Sequence, residues 1–306
     1  MIEHMEVASN LLSERVAIVT GAGGGLGRSH AMMLARSGAK VLVNDVSSEA
    51  AVRVVSEIID AGGEAIAFAT SVTDEDGVAR MVAHVMDTWA RVDILVNNAG
   101  ILRDRSFAKM TMAEFREVID VHLMGSAICT KAVWEIMRGQ RHGRIVMTTS
   151  SSGLFGNFGQ ANYGAAKMAL VGLMQTLALE GEKYGIKVNC LAPTAATAMT
   201  HGLLSEETLA RFAPDNVSPG LLALVADDAP TRAILCAGAG HFARSHVTLT
   251  QGAFFGGGAD APRKVMANWA RISDRAGELV PDYGFIQMER ELADGTGQTP
   301  ARPAGG

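Results

Sequence analysis

The chain has 306 residues, 48% hydrophobic and 19% charged, with a formal net charge of −5. This is enough apolar material for a large core and too much for a disordered chain. The acidic balance, with no block of Lys or Arg, leaves no electrostatic footprint for nucleic acid.

The first residues, Met1-Ile2-Glu3-His4-Met5-Glu6, carry acids and lack the basic-then-apolar pattern of a secretory leader. Residues 15–20 form a short β-branched run that predicts a buried parallel strand. It feeds Gly21-Ala22-Gly23-Gly24-Gly25-Leu26-Gly27, and a helical pattern follows over 29–37. Strand, glycine turn and helix in this order predict a site where Gly21, Gly25, Leu26 and Gly27 bring backbone N–H groups to a pyrophosphate. A second strand, 40–44, ends at Asp45, eighteen residues beyond Gly27. A carboxylate there accepts hydrogen bonds from ribose hydroxyls and repels a 2′-phosphate, so NAD is expected rather than NADP.

Further on, the patterns predict helices over 48–61, 74–90, 112–138 and 161–184, and strands over 65–69, 94–97, 144–149 and 187–192. The last strand candidates are 233–236 and 247–250, and one more helix is expected at 262–276, with a polar Pro/Gly-rich end after Leu292. This alternation predicts an α/β fold, a doubly wound parallel sheet of Rossmann type in three α/β/α layers. One domain is expected over 11–255 and a partly irregular C-terminal extension over 256–306. Residues 194–225 read either as a substrate loop that closes as a lid or as a plain surface helix pair.

Tyr163 and Lys167 lie four residues apart on one predicted helix face, and Ser150 closes the strand thirteen residues before Tyr163. A phenol has an ordinary pKa of about 10, and a permanent positive charge beside it lowers that value. Beside a hydride carrier, this trio predicts carbonyl–alcohol chemistry. Ser151 and Ser152 compete with Ser150 for the serine role. Cys129, Cys190 and Cys236 are widely spaced in apolar contexts and read as small core residues in a reducing compartment. The histidines lack metal-ligand spacing.

Thr20 to Gly27, Asn97-Asn98-Ala99-Gly100, Ser150, Tyr163 and Lys167, with Asn189 and Pro193 downstream, resemble the short-chain dehydrogenase/reductase family over about residues 11–250. The stretches 97–107 and 155–163 are similar to the dehydrogenase part of the peroxisomal multifunctional enzymes of type 2 and their bacterial relatives. The resemblance implies NAD-dependent interconversion of a (3R)-3-hydroxyacyl-CoA and its 3-oxo form, or of a 17β-hydroxysteroid. A reading of another class is a catalytically silent dinucleotide-binding sensor or scaffold.

The resemblance also implies roles. Tyr163 moves the hydroxyl proton, Lys167 holds the ribose and lowers the phenol's pKa, and Ser150 steadies the substrate oxygen. Asn98, Ala99 and Gly100 line the cofactor channel, with Asn97 tying strands together. Ser71 and Val72 lie near adenine, and Pro193 with residues 194–200 meets the carboxamide, although Thr194 replaces the usual Gly. His122 stands where an Asn is usual, either relaying a proton or hydrogen-bonding a helix carbonyl. Arg103 and Arg105 are candidates for the acyl-CoA phosphates, and Leu154, Phe155, Phe158 and Met199 for its apolar part. A homodimer or homotetramer is expected to pair through helices 112–138 and 161–184. No apolar run is long enough to span a bilayer, and the last residues, Pro303-Ala304-Gly305-Gly306, form no peroxisomal address, so a cytoplasmic protein is expected.

Overall fold

The computed structural model describes residues 10–195 and 206–296. Val16–Val19 (β1) is buried at every position, as a strand covered on both faces must be. The Gly-rich turn leads into Gly25–Arg36 (α1), followed by Lys40–Asp45 (β2), Ser48–Asp60 (α2), Glu64–Ala69 (β3), Glu75–Trp89 (α3) and Ile94–Asn97 (β4). Met112–Ile119 (α4), a π-helical segment Asp120–Met124 and Gly125–Gln140 (α5) precede Gly143–Thr148 (β5). Ser151–Phe155 (α6), Ala161–Gly181 (α7) and Ile186–Thr194 (β6) follow; then come Glu206–Arg211 (α8), Ser218–Val225 (α9), Ile234–Gly238 (β7) and His241–Ser245 (β8).

The sheet order is β3-β2-β1-β4-β5-β6-β7-β8. Every neighbouring pair is parallel except β7–β8. The order reverses between β1 and β4, and ligands of such sheets bind beyond the carboxyl ends of the strands at that point. The strand period of two sends alternate side chains to opposite cores. Ala17, Val19, Val41, Val43 and Val146 face α1, α2 and α9. Ile18, Leu42, Leu95, Ile145 and Met147 face α3, α5 and α7. The doubly wound fold is the expected one.

Local chemistry sets the helix starts. Ser47 accepts from the Ala50 N–H, Asp74 accepts from the Gly77 N–H, and Thr111 with Glu114 forms a reciprocal capping box. The helix expected over 112–138 is interrupted by the π-helical segment. Its wide turn takes up an additional residue, so that both His122 and Ser126 face inward. The strand expected at 247–250 is not part of the sheet. A two-residue turn, Ala239 at φ 51° and Gly240 at φ 74°, folds β8 back on β7 instead.

The chain divides into two compact units after Ser245, rather than after residue 255. In the second unit Leu249 pairs with Leu279 through both backbone hydrogen bonds. The helix expected over 262–276 is split into Ala261–Ala267 (α10) and Trp269–Ile272 (α11), and a further helix, Ile286–Thr296 (α12), not among those expected, runs past Leu292 into the expected polar end. Among its described residues none is buried. Leu249, Phe254, Phe255, Val265 and Ile272 line a cavity of about 460 Å³ within this unit.

Candidate active site

The glycine turn sits at the β1–β4 switch point, and three of its glycines are crowded: Gly23, where a Cβ would lie 2.7 Å from Ala50 Cβ, and Gly21 and Gly27. Gly21 has φ 61°, and a Cβ there would lie 2.7 Å from Ala99 Cα. A Cβ on Gly27 would collide with the Gly21 carbonyl and lie 2.6 Å from Asn98 Nδ2. Asn98 Nδ2 donates to the Thr20 and Gly21 carbonyls at 3.0 Å, while the N–H groups of Asn98 and Ala99 donate to Thr20 Oγ1 at 3.0 and 3.1 Å. The side chain of Asn98 therefore braces the turn. Asn97 reaches Thr130 Oγ1 and Met147 Sδ, joining β4 to α5 and β5.

The outer side of the turn is open. Among the described residues nothing lies within 4 Å of a Cβ position on Gly24 or Gly25, and no side chain caps α1. Uncapped N–H groups at the start of a three-turn helix suit a pyrophosphate. Leu26 packs on the core beneath. Asp45 Oδ2 accepts from the Gly23 N–H at 2.9 Å, and its Oδ1 from the Ser47 N–H at 3.0 Å. Ser71 bonds Thr73 Oγ1, and buried Val72 packs over Gly125. Pro193 pairs with Ala237 in the sheet. Met199 and residues 196–205 lie outside the described residues.

The remainder of the expected substrate loop splits. Val217, Leu221 and Leu224 are buried in the core. Asp215 accepts from Ser29 Oγ at 2.5 Å, and Ser218 Oγ meets Ser29 Oγ and His30 Nδ1 at 2.7 and 2.8 Å. Residues 214–225 are thus moored to α1, neither lid nor plain surface helix.

Ser150 is the N-cap of α6, where its Oγ accepts from the Ser152 N–H. Its hydroxyl is near enough to the Tyr163 phenol to pull the phenol's pKa down. Ser151 is exposed and Ser152 Oγ donates to Gln160 Oε1, so the structure turns Ser150, of the three serines, to the tyrosine. Lys167 is 3% exposed, its Nζ donates to the Thr148 carbonyl at 2.6 Å and lies 5.4 Å from the Tyr163 ring centre.

The electrostatics correct one expectation. Burial pushes the Tyr163 phenol above its ordinary value; the Ser150 hydroxyl opposes this and the Asp104 carboxylate adds to it. Lys167 is not a permanent charge: burial brings its ammonium down to about 7. Close packing contributes to that burial: a Cβ on Gly153 would lie 2.7 Å from Lys167 Cβ, so α6 and α7 touch there.

His122 is 2% exposed in the π-helical segment. Its Nε2 lies 2.8 Å from the Ile101 carbonyl and 3.1 Å from the Ile101 N–H, and its ring meets Tyr163 edge-on at 5.2 Å. The partner is thus a loop backbone, not a helix carbonyl. Burial, then the Lys167 charge, bring the imidazole down to about 3 against a weaker opposing pull from its Ile101 hydrogen bond, so it is neutral at ordinary pH.

Sequence reasoning missed a polar wall beside the trio. Gln160 Nε2 donates to Asp104 at 2.7 Å, and Gln160 Oε1 accepts from Ser152 and Asn157. Asn162 Nδ2 donates to the Arg103 carbonyl, and the Arg105 N–H to the Gly159 carbonyl. The available signal was the pair of family-like stretches 97–107 and 155–163, which prove to be zipped together. Arg103 and Arg105 are paired with Glu117 and Glu114, so their charge is already compensated. Phe155 and Phe158 stand exposed on this rim.

Residues 15–208 match the short chain dehydrogenase family. The chain belongs to that family. As a short-chain dehydrogenase it is an oxidoreductase acting on CH–OH groups, with a nicotinamide dinucleotide as its cofactor. It is 44% identical to a short-chain type dehydrogenase/reductase of Mycobacterium tuberculosis over 285 residues, 89% of this chain and 98% of that one. The solved full-length peroxisomal multifunctional enzyme type 2 of Drosophila melanogaster superposes with a TM-score of 0.78 at 36% identity, over 92% of this dehydrogenase and 49% of the insect chain. The dehydrogenase thus spans about half the length of that relative. A 7α-hydroxysteroid dehydrogenase solved with NADH and a 7-oxo bile acid superposes with a TM-score of 0.70 at 29% identity, over 76% of this chain and 96% of that one. No helix among the described residues is long and apolar enough to cross a membrane.

Proposed function

We propose that this dehydrogenase interconverts a (3R)-3-hydroxyacyl-CoA and the 3-oxoacyl-CoA, using NAD. The observation that carries the chemistry is Tyr163 with the buried Lys167 Nζ 5.4 Å from its ring centre and the Ser150 hydroxyl acting on its phenol, at the carboxyl end of the sheet where the glycine turn also lies. When bound, the nicotinamide supplies the hydride acceptor or donor. Tyr163 supplies the proton to a ketone oxygen, or removes it from the alcohol. Ser150 donates to the same oxygen and steadies its charge. Lys167, with one hydrogen bond among the described residues, has N–H groups left for ribose hydroxyls. The turn residues Gly21, Gly25, Leu26 and Gly27 hold the pyrophosphate, Ser71 and Val72 border adenine, Asn98, Ala99 and Gly100 form the floor, and Pro193 meets the carboxamide.

Because burial keeps the phenol protonated at neutral pH, Tyr163 starts as a proton donor. Alcohol oxidation then rises with pH as the phenolate forms, and ketone reduction falls. The thioester reading is supported by the likeness to the multifunctional enzyme, and the exposed Phe155 and Phe158 offer an apolar rim for an acyl chain. The NAD reading is supported by Asp45, whose carboxylate opposes a 2′-phosphate. We further propose that the chain acts in the cytoplasm as a homodimer or homotetramer. The reduced cysteines and the exposed Met168 and Leu179 on α7 support this, and sedimentation would read the assembly.

The test is an assay with NAD and NADP against 3-hydroxyacyl-CoA thioesters and 17β-hydroxysteroids. Thioester turnover with NAD is expected; activity on steroids alone removes the thioester reading, and preference for NADP removes the role of Asp45. Tyr163→Phe is expected to lower kcat by about 10²–10⁴-fold while NADH binding persists. Unchanged turnover in that variant would remove the tyrosine from the chemistry, and absence of turnover in the parent protein would favour a silent dinucleotide-binding protein.

A further inference from the structure

We infer that His122 is a positioning residue, an uncharged wedge that holds the Tyr163 ring against the floor of the cofactor cleft, and not a proton carrier. The inference rests on the acid/base role proposed for Tyr163.

The wedge is confined on every side. Its Nε2 is fixed by the backbone of Ile101, and a side chain on Gly100 would collide with its Cε1 and lie 3.0 Å from Nδ1. Its ring stands perpendicular to Tyr163, at 89°. The wide turn that aims it inward is itself tied, because Ser126 Oγ donates to the His122 carbonyl at 2.6 Å. Residues 100 and 101 continue the strand end that carries Asn98, so one ring links the cofactor floor to the phenol.

The nitrogen chemistry argues against proton transfer. Nδ1 is buried and has no hydrogen-bond partner among the described residues. Nε2 stands between the Ile101 carbonyl and the Ile101 N–H and serves one of them at a time: protonated it donates to the carbonyl, unprotonated it accepts from the N–H, and in either tautomer the neutral ring keeps a hydrogen bond to Ile101. A second proton is opposed by burial and by the nearby Lys167 charge. Four groups face the phenol: Ser150 from the end of β5, Lys167 from α7, Asp104 from the loop after β4, and His122 from the π-helical segment.

The experiment compares His122→Ala and His122→Phe with the parent protein. It reads kcat, KM and NADH affinity, together with the ionisation of Tyr163 by ultraviolet titration, each protein measured against its own Tyr163→Phe partner. His122→Ala opens a space that water enters, so the phenol should ionise at lower pH, kcat should fall by about 10²-fold from misplacement, and NADH affinity should stay within about threefold. His122→Phe restores an uncharged ring and should regain most of the lost kcat and a phenol ionisation near that of the parent. If His122→Phe is as impaired as His122→Ala, or if neither variant moves the phenol, the wedge is wrong. Should His122→Ala fail to fold, His122→Phe alone decides by the same two readings. If the parent protein turns over no substrate, the acid/base reading has failed, while the phenol titration still reports whether His122 sets the ring's surroundings.

Discussion

Strand β5 has a buried cation at each end, and the protein treats the two in opposite ways. Arg144, 4% exposed near its start, donates to four carbonyls, those of Gly143, Gly185, Ala226 and Asp227, at 2.8–3.1 Å. Lys167, 3% exposed, meets the strand's last residue through a single bond to the Thr148 carbonyl. The same end as Arg144 holds Asp93, fully buried but served by the Val16 N–H and by Arg15 and Arg91. The amino ends of the strands are therefore electrostatically complete, and their polar groups act as fasteners. At the carboxyl ends Lys167 is left with spare capacity: among the described residues its amine has donors without a partner. A buried polar group is costly unless it is satisfied, so such incompleteness persists where a ligand completes it.

Two substitutions break this contrast in opposite directions. Lys167→Met should lower kcat/KM by about 10²–10³-fold, the loss that follows removal of one stabilising donor. Its resistance to urea should be equal to or greater than that of the parent, because a poorly solvated charge has been replaced by an apolar chain of similar length. Arg144→Met should do the reverse. It strands carbonyls on three segments and should lower stability by about 3 kcal/mol, with kcat per folded molecule unchanged. Urea midpoints and turnover, measured on both variants, test the pair. A Lys167→Met protein that is markedly less stable than the parent would place that amine among the fasteners.

The sequence made the sheet readable because its strands are short apolar β-branched runs, such as Val16–Val19 and Ile94–Asn97, that have few alternative uses. The glycine turn was readable for a related reason: Gly21 and Gly27 admit no side chain, and their spacing survives in the chain as a pattern. What stayed hidden depends on packing between distant segments. Nothing in Asp120–Met124 marks a π turn; it contains neither Pro nor Gly and departs from a helix by one residue. The turn at Ala239–Gly240 lacks the Asn-Gly or Asp-Gly signal of a tight hairpin, so β8 was overlooked. The link between Gln160 and Asp104 joins loops far apart in the chain. The charge state of Lys167 was misjudged because spacing shows which groups are neighbours but not how much water reaches them.

That charge state gives the smallest and most specific expectation. The Lys167 ammonium titrates at about 7 in the folded protein and near 10.5 when unfolded. Below pH 7 both states hold the proton, and the penalty for burying the charge is present in full. Above it the folded state has released a proton that the unfolded state keeps, so stability rises with pH, by at most about 1.4 kcal/mol per unit. The window closes near pH 9. There the cysteines reverse the sign: burial pushes Cys129 up to about 12 and raises Cys190 and Cys236, so the unfolded chain loses thiol protons first and stability falls. Urea midpoints taken between pH 7 and 8.5 should therefore climb more steeply in the parent protein than in Lys167→Met, while Arg144→Met, which removes a guanidinium that stays charged throughout this range, should show the parent's slope from a lower start. A parent protein with no slope in that interval would mean that its buried amine keeps its proton, and the contrast between the two ends of β5 would then rest on hydrogen-bond number alone.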